Sequence, residues 1–184
     1  MTAGFVSRAE CLPDGAVLFS GPNFADDRGS SYEAFFGSAD GSPLPVFPLV
    51  QENIIRTARA GCIRGLHYQL APKAQGKLVT VLRGRAQIFW VALDDTSLPV
   101  KVHSLCLDAD GASLYTPGNC AHGVMALEDD MLMALKFDQP VDLDMRGEIS
   151  IEAEDIDIRF ERPPLLDDLS KRDREAPVFA ARRR

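Results

Sequence analysis

What most constrains the fold of this chain is the near absence of helical spacing. Short apolar runs follow one another along the sequence, and each is closed by a turn signal. Residues 15–19, 31–36, 113–116, 124–127 and 131–137 have the length and composition of strands, and residues 100–107 make a slightly longer one. The segments Asp26-Asp27-Arg28-Gly29, Asp108-Ala109-Asp110-Gly111 and Glu128-Asp129-Asp130 carry the acidic residues and glycines that tight hairpins favour. From Lys77, the sequence KLVTVLRGRAQIFWVALDD predicts two strands about Arg83-Gly84. Two prolines within residues 44–50 predict an edge or irregular segment. Residues 148–152 and 156–160 add two more strands, and residues 165–173 predict a short helix near the end. About ten short strands without βαβ alternation predict an all-β fold. At 184 residues the length fits one domain over 1–184. A double-stranded, cupin-like jelly roll is the all-β architecture whose mouth is best lined by side chains from several strands.

Charge then narrows the partners. A net charge of −7 argues against nucleic acid and against an anionic membrane surface, both of which need basic patches. The one basic cluster, Arg182 to Arg184, has the composition of a solvated tail. No apolar run approaches the ~20 residues needed to cross a bilayer, and the first residues have no continuous apolar core, so the cytoplasm is the expected location. Cys11, Cys62, Cys106 and Cys120 form no CxxC pair and are expected to be buried free thiols.

Residues 63–79, IRGLHYQLAPKAQGKLV, stand apart because they place Arg64, His67 and Lys77 in an otherwise apolar, strand-like stretch. Burying such groups without partners costs roughly 2 kcal/mol or more each, so a bound anion or a reacting substrate would account for them. Of the three histidines, His103 has no acidic or cysteine neighbour and is expected to be structural. His122 follows the turn Pro117-Gly118-Asn119. A metal is poorly supplied, because His67-Tyr68-Gln69 has glutamine where a His-x-His site needs its second ligand. Proton transfer fits better: a histidine can act as base, an aspartate can hold its tautomer, and a lysine can stabilise an enolate. Arg64 and the turn residue Arg28 could grip phosphate oxygens in bidentate fashion, though a surface ion pair is the ordinary role of either.

Several motifs together carry a resemblance: residues 51–53, RGLHYQ at 64–69, AQGKLV at 74–79, Tyr115-Thr116-Pro117, Ala121-His122-Gly123 and LSKRD at 169–173. In order and spacing they resemble the dTDP-4-dehydrorhamnose 3,5-epimerase family over about residues 20–175. The resemblance implies a homodimeric jelly roll that needs no metal or other cofactor. It also implies epimerisation of a 4-keto-6-deoxy nucleotide-diphosphate sugar at C3 and C5. By the same resemblance His67 is the base, Asp173 orients it and Lys77 stabilises the enolate oxygen. His122 lines the sugar site, Arg64 binds the diphosphate, and Arg28, Glu33, Gln51 and Asn53 surround the nucleotide.

The chain also departs from the family pattern. Leu135, in Met133-Ala134-Leu135-Lys136, stands where the family has the tyrosine that returns a proton to the opposite face of the sugar. Phe137-Asp138-Gln139-Pro140 replaces the tyrosines that usually follow, Trp90-Val91-Ala92-Leu93-Asp94 replaces D-V-A-V-D, and Glu148-Ile149-Ser150 replaces the usual tryptophan segment. The sequence therefore predicts intact proton removal with altered return. Epimerisation at a single carbon, a non-catalytic nucleotide-sugar binding protein and a 3,4-ketoisomerase all remain open at this stage.

Overall fold

Residues 8–34 and 49–181 are described by the computed structural model. Its strands are β1 (Arg8–Cys11), β2 (Val17–Ser20), β3 (Asn23–Asp26), β4 (Gly29–Tyr32) and β5 (Gln51–Thr57). They continue with β6 (Ile63–Gln69), β7 (Lys77–Arg83), β8 (Arg85–Ala92), β9 (Val100–Lys101) and β10 (His103–Asp108). The last five are β11 (Ala112–Thr116), β12 (Cys120–Ala126), β13 (Met131–Phe137), β14 (Arg146–Glu148) and β15 (Ile156–Asp157), before one short helix, α1 (Lys171–Arg174). Two antiparallel sheets make the body, one in the order β1-β2-β11-β7-β13-β5 and the other β10-β8-β12-β6-β14. The result is the all-β jelly roll that the sequence predicts.

Alternation along the strands explains why the sheets pack as they do. On β13, Met131, Met133, Leu135 and Phe137 join the core between the sheets, whereas Leu132 and Lys136 are only partly buried. β8 is buried along nearly its whole length because both of its faces are covered. Ile88 and Trp90 enter the core between the sheets, and Phe89 and Val91 enter a second core on the other side. That second core is closed by the C-terminal segment, through Ile149, Ile151, Ile156, Leu169 and Phe179. Burying each large side chain stabilises the fold by roughly 1.5–3 kcal/mol. The two cores therefore flank the five-stranded sheet on both faces, and that sheet carries part of the site.

Several boundaries differ from the sequence expectation. Residues 63–79 are two strands, β6 and β7, joined by the connection that contains Pro72. β1 and β5 were not apparent in the sequence, since their burial patterns are largely exposed and carry no apolar alternation. Residues 148–152 contribute only the end of β14: Ile149 still exchanges backbone hydrogen bonds with Leu66 of β6, and the side chains of Ile149 and Ile151 enter the outer core. The helix expected at 165–173 is broken. A 3-10 turn (Leu166–Asp168) ends at Leu169, whose ψ of 137° is not helical, and α1 starts after Ser170, whose side chain accepts from the Asp173 amide. Most of the expected 44–50 segment, the last two residues of 31–36, and Arg182 to Arg184 lie outside the described residues.

Candidate active site

At one end of the sandwich a cleft of about 290 Å³ opens between the sheets. β6 supplies Arg64, His67 and Gln69, β7 supplies Lys77, β12 supplies His122, and α1 supplies Asp173. Arg64 and His67 are three residues apart, which in a regular strand puts them on opposite faces. A bulge brings them together: His67 pairs with His122 and Arg64 with Val124, so three steps on β6 match two on β12. Gly65 makes the bulge possible. Its φ is +119°, and a Cβ there would lie 2.7 Å from both Gly123 Cα and the His122 carbonyl oxygen.

His67 Nε2 lies 2.5 Å from Asp173 Oδ1 across 106 residues of sequence. The other carboxylate oxygen accepts from Ser170 Oγ at 2.7 Å. Burial opposes charge on Asp173, but these two hydrogen bonds and the nearby Arg172 outweigh it and hold the carboxyl below its ordinary value of 3.8. An ionised Asp173 accepts from Nε2–H, and in the imidazole tautomer that this contact selects the lone pair is on Nδ1.

Lys77 is 5% exposed, and its Nζ donates to the His67 carbonyl at 2.8 Å. Burial first, and then the charge of Arg172, push its pKa down to about 8. His122 is equally buried; its Nδ1 is 3.3 Å from Thr116 Oγ1, and its Nε2 has no partner among the described residues. Burial, with Lys77 and His67 beside it, lowers its pKa well below the ordinary value, so it is neutral in the cleft. Apart from Lys77 itself, the wall that the six-stranded sheet contributes is apolar, lined by Ile55, Met133, Leu135 and Phe137.

The remaining candidates are distributed differently. Gln51 and Asn53 share a face of β5 with the cleft-lining Ile55 and are hydrogen-bonded to each other at 3.1 Å. Gln51 also accepts from the amide of Val141, another lining residue, which sets the pair at the rim. Arg28 and Glu33 are not brought to this cleft. Arg28 is in the β3–β4 turn, exposed and paired with Asp26 at 2.6 Å, and Glu33 follows β4, where its backbone lies against Gly21. His103, expected to be structural, stacks on Trp90 outside the cleft. Among the described residues, no cluster of three or more His, Cys, Asp or Glu side chains could hold a metal, and no helix is long and apolar enough to cross a membrane.

Two lining arginines were not singled out from the sequence. Arg172, in the LSKRD motif, is ion-paired with Glu148, and Arg146 faces Gln69 across β14 and β6. Only the pairing of β14 with β6 reveals either contact, and β14 is too short to be legible as a strand.

A family model described as dTDP-4-dehydrorhamnose 3,5-epimerase matches residues 12–181. The dTDP-4-dehydrorhamnose 3,5-epimerase of Sinorhizobium fredii is 36% identical over 126 residues, 64% of this chain and 61% of the relative, so the alignment spans less than two thirds of that protein. The enzyme of the same name from Methanothermobacter thermautotrophicus is 32% identical over 180 residues, 90% of this chain and 94% of its own. Among solved structures, dTDP-4-dehydrorhamnose 3,5-epimerase from Bacillus anthracis, with TDP and PPi bound, superposes with a TM-score of 0.80 at 28% identity, covering 94% of this chain and 99% of that one.

Proposed function

Because the chain belongs to the dTDP-4-dehydrorhamnose 3,5-epimerase family, we propose that it epimerises a 4-keto-6-deoxy nucleotide-diphosphate sugar through an enolate, without a metal or other cofactor. The observation that carries this reading is the 2.5 Å contact between His67 and the ionised Asp173 in the cleft. His67 Nδ1 removes the proton from C3 or C5, next to the C4 ketone, and Asp173 stabilises the imidazolium that forms. Lys77, mostly an ammonium at pH 7, donates to the oxygen on which charge develops. Neutral His122 offers its unpartnered Nε2 to a sugar hydroxyl, and Arg64 takes the diphosphate. Gln51 and Asn53 contact the nucleotide from the rim.

Inversion requires the new proton to arrive on the face away from His67. The wall on that side is built from Ile55, Met133, Leu135 and Phe137, none of which can donate a proton, and from Lys77 of the same sheet, which this reading places on the enolate oxygen. Inversion therefore depends on water, and the reading favours epimerisation at a single carbon over the two-site reaction. Arg28 and Glu33 stand outside the cleft of their own chain, so their part in nucleotide binding goes with a cytoplasmic homodimer in which the hairpin reaches the partner's site.

The test is incubation with dTDP-4-keto-6-deoxyglucose in heavy water. Deuterium should enter at C3 or C5, and His67→Ala should abolish its entry. Binding of the sugar nucleotide with no exchange in the wild-type protein would establish the second reading, a non-catalytic binding protein, which the apolar Leu135 wall also favours. Neither binding nor exchange would remove both.

A further inference from the structure

Arg146 lines the cleft from β14, opposite Gln69 of β6. Its Nε is buried, and no acceptor among the described residues satisfies it. Glu148, two residues further along β14, is engaged by Arg172, and Asp173, which lines the same cleft, by His67 and Ser170. Gln69 directly opposite is no better placed, since its amide nitrogen donates to the Lys73 carbonyl and its oxygen accepts from the Asp142 amide. A guanidinium stays charged at any working pH, so a buried N–H of this kind calls for an acceptor that the ligand brings.

The position of Arg146 indicates which ligand atom that is. Arg64 and His67 pair with residues two apart on β12, which separates them by about 7 Å along the sheet. Arg146 lies on the other side of His67, diagonal to it across β6 and β14 at about 7–8 Å. The base is thus flanked by two arginines. In a hexopyranose, C1 and C4 are at opposite corners of the ring, and C3 and C5 both adjoin C4. A sugar whose diphosphate is held at Arg64 points C1 toward that residue and its C4 oxygen toward Arg146, with His67 beside the carbon that loses its proton.

We propose that Arg146 is a catalytic residue that donates its unpartnered Nε–H to the C4 oxygen of the sugar. The inference rests on the epimerase reading above. As His67 takes the proton, the C–H electron pair becomes the new C=C bond to C4, and the carbonyl π pair moves onto the oxygen. Arg146 shares the stabilisation of that oxygen with Lys77 and transfers no proton itself. Because its charge does not titrate, it serves above pH 8, where Lys77 loses its own.

The test compares Arg146→Met and Arg146→Lys with the wild-type protein, using dTDP alone and dTDP-4-keto-6-deoxyglucose as probes and thermal melting as the check of folding. Arg146→Met should hold the calorimetric affinity for dTDP within about twofold and lower the maximal rate of deuterium entry by about 10²- to 10³-fold. Arg146→Lys should recover part of that rate, and if the methionine variant does not fold, a fall of about tenfold in the lysine variant decides the question. Exchange at the wild-type rate in both variants overturns the proposal. So does a loss of dTDP affinity in step with exchange, which would put Arg146 on the diphosphate. If the wild-type protein binds the sugar nucleotide without exchanging it, the epimerase reading fails separately. Arg146 is then judged by binding: Arg146→Met must weaken the 4-keto sugar but not dTDP, and equal weakening or none overturns the assignment.

Discussion

Replacing Lys77 with methionine should stabilise the protein while removing its activity. Lys77 is 5% exposed, and its pKa falls from 10.5 to about 8, chiefly because burial penalises the ammonium. At roughly 1.4 kcal/mol per pKa unit, the folded state holds that charge at pH 7 at a cost of about 3 kcal/mol. Methionine has nearly the same shape and no charge, so the penalty disappears. Against this stands the hydrogen bond to the His67 carbonyl, worth about 1 kcal/mol net. The variant should gain about 1–2 kcal/mol at pH 7, which for a chain of this length raises Tm by about 2–8 °C. The pH dependence has a definite sign. Between pH 8 and 10.5 the unfolded wild-type chain binds more protons at this residue than the folded one, so wild-type stability rises with pH and the advantage of the variant shrinks. Urea unfolding of both proteins at several pH values from 7 to 10 measures the difference directly. In the same variant, deuterium entry should drop by about 10²- to 10³-fold for want of the ammonium. A methionine variant less stable than wild type at pH 7, or a stability difference that does not change between pH 8 and 10, refutes the account of a charge held at a cost for function.

Three further outcomes follow from the same geometry. Asp173→Asn should lower exchange by roughly 10²- to 10⁴-fold, because the amide cannot hold His67 in its Nε2–H tautomer. Asp173 also contributes stability at neutral pH that is lost as the pH falls below 3.8 toward its lower folded value, so the Asn variant should show a smaller acid-induced loss in Tm. Leu135→Tyr should increase inversion relative to exchange, measured by NMR of the sugar products, because it puts an acid on the wall facing His67; an unchanged ratio would mean that reprotonation does not come from that wall. Gly65→Ala should destabilise the protein by about 2 kcal/mol or more and abolish exchange, since the added methyl meets the β12 backbone at 2.7 Å and the backbone is held at a φ of +119°. Denaturant midpoints within error of wild type would show that the bulge can relax.

The chemistry was legible in local sequence to the extent that it was carried by unusual residue types in apolar runs. Arg64, His67 and Lys77 stand out because polar and cationic groups in an apolar strand demand a purpose, whereas Leu135 stands out only through the family resemblance, which puts a tyrosine there. The all-β class was equally legible, since alternation on β13 and the turn signals around β11 and β13 are short-range properties. Less was visible where burial came from distant parts of the chain. β5 has an exposed pattern and pairs only along the edge of its sheet, and β14 is three residues long, so neither declares itself. Arg172 and Arg146 were missed for the same reason.

By itself the sequence determined which side chains are available: a histidine, an arginine and a lysine in apolar stretches, an aspartate near the end, and a leucine at position 135. Tertiary structure decided which of them meet. Asp173 reaches His67 only because the C-terminal segment packs over the outer core and Ser170 caps the turn that carries the carboxylate. Arg64 shares a face with His67 only because Gly65 admits an extra residue into β6 against β12. Arg28 and Glu33, by contrast, stay on a hairpin away from the cleft. The physical reason is that side-chain chemistry is local, whereas the face a residue presents and the partner it finds depend on strand register, which is set by packing across the whole sheet.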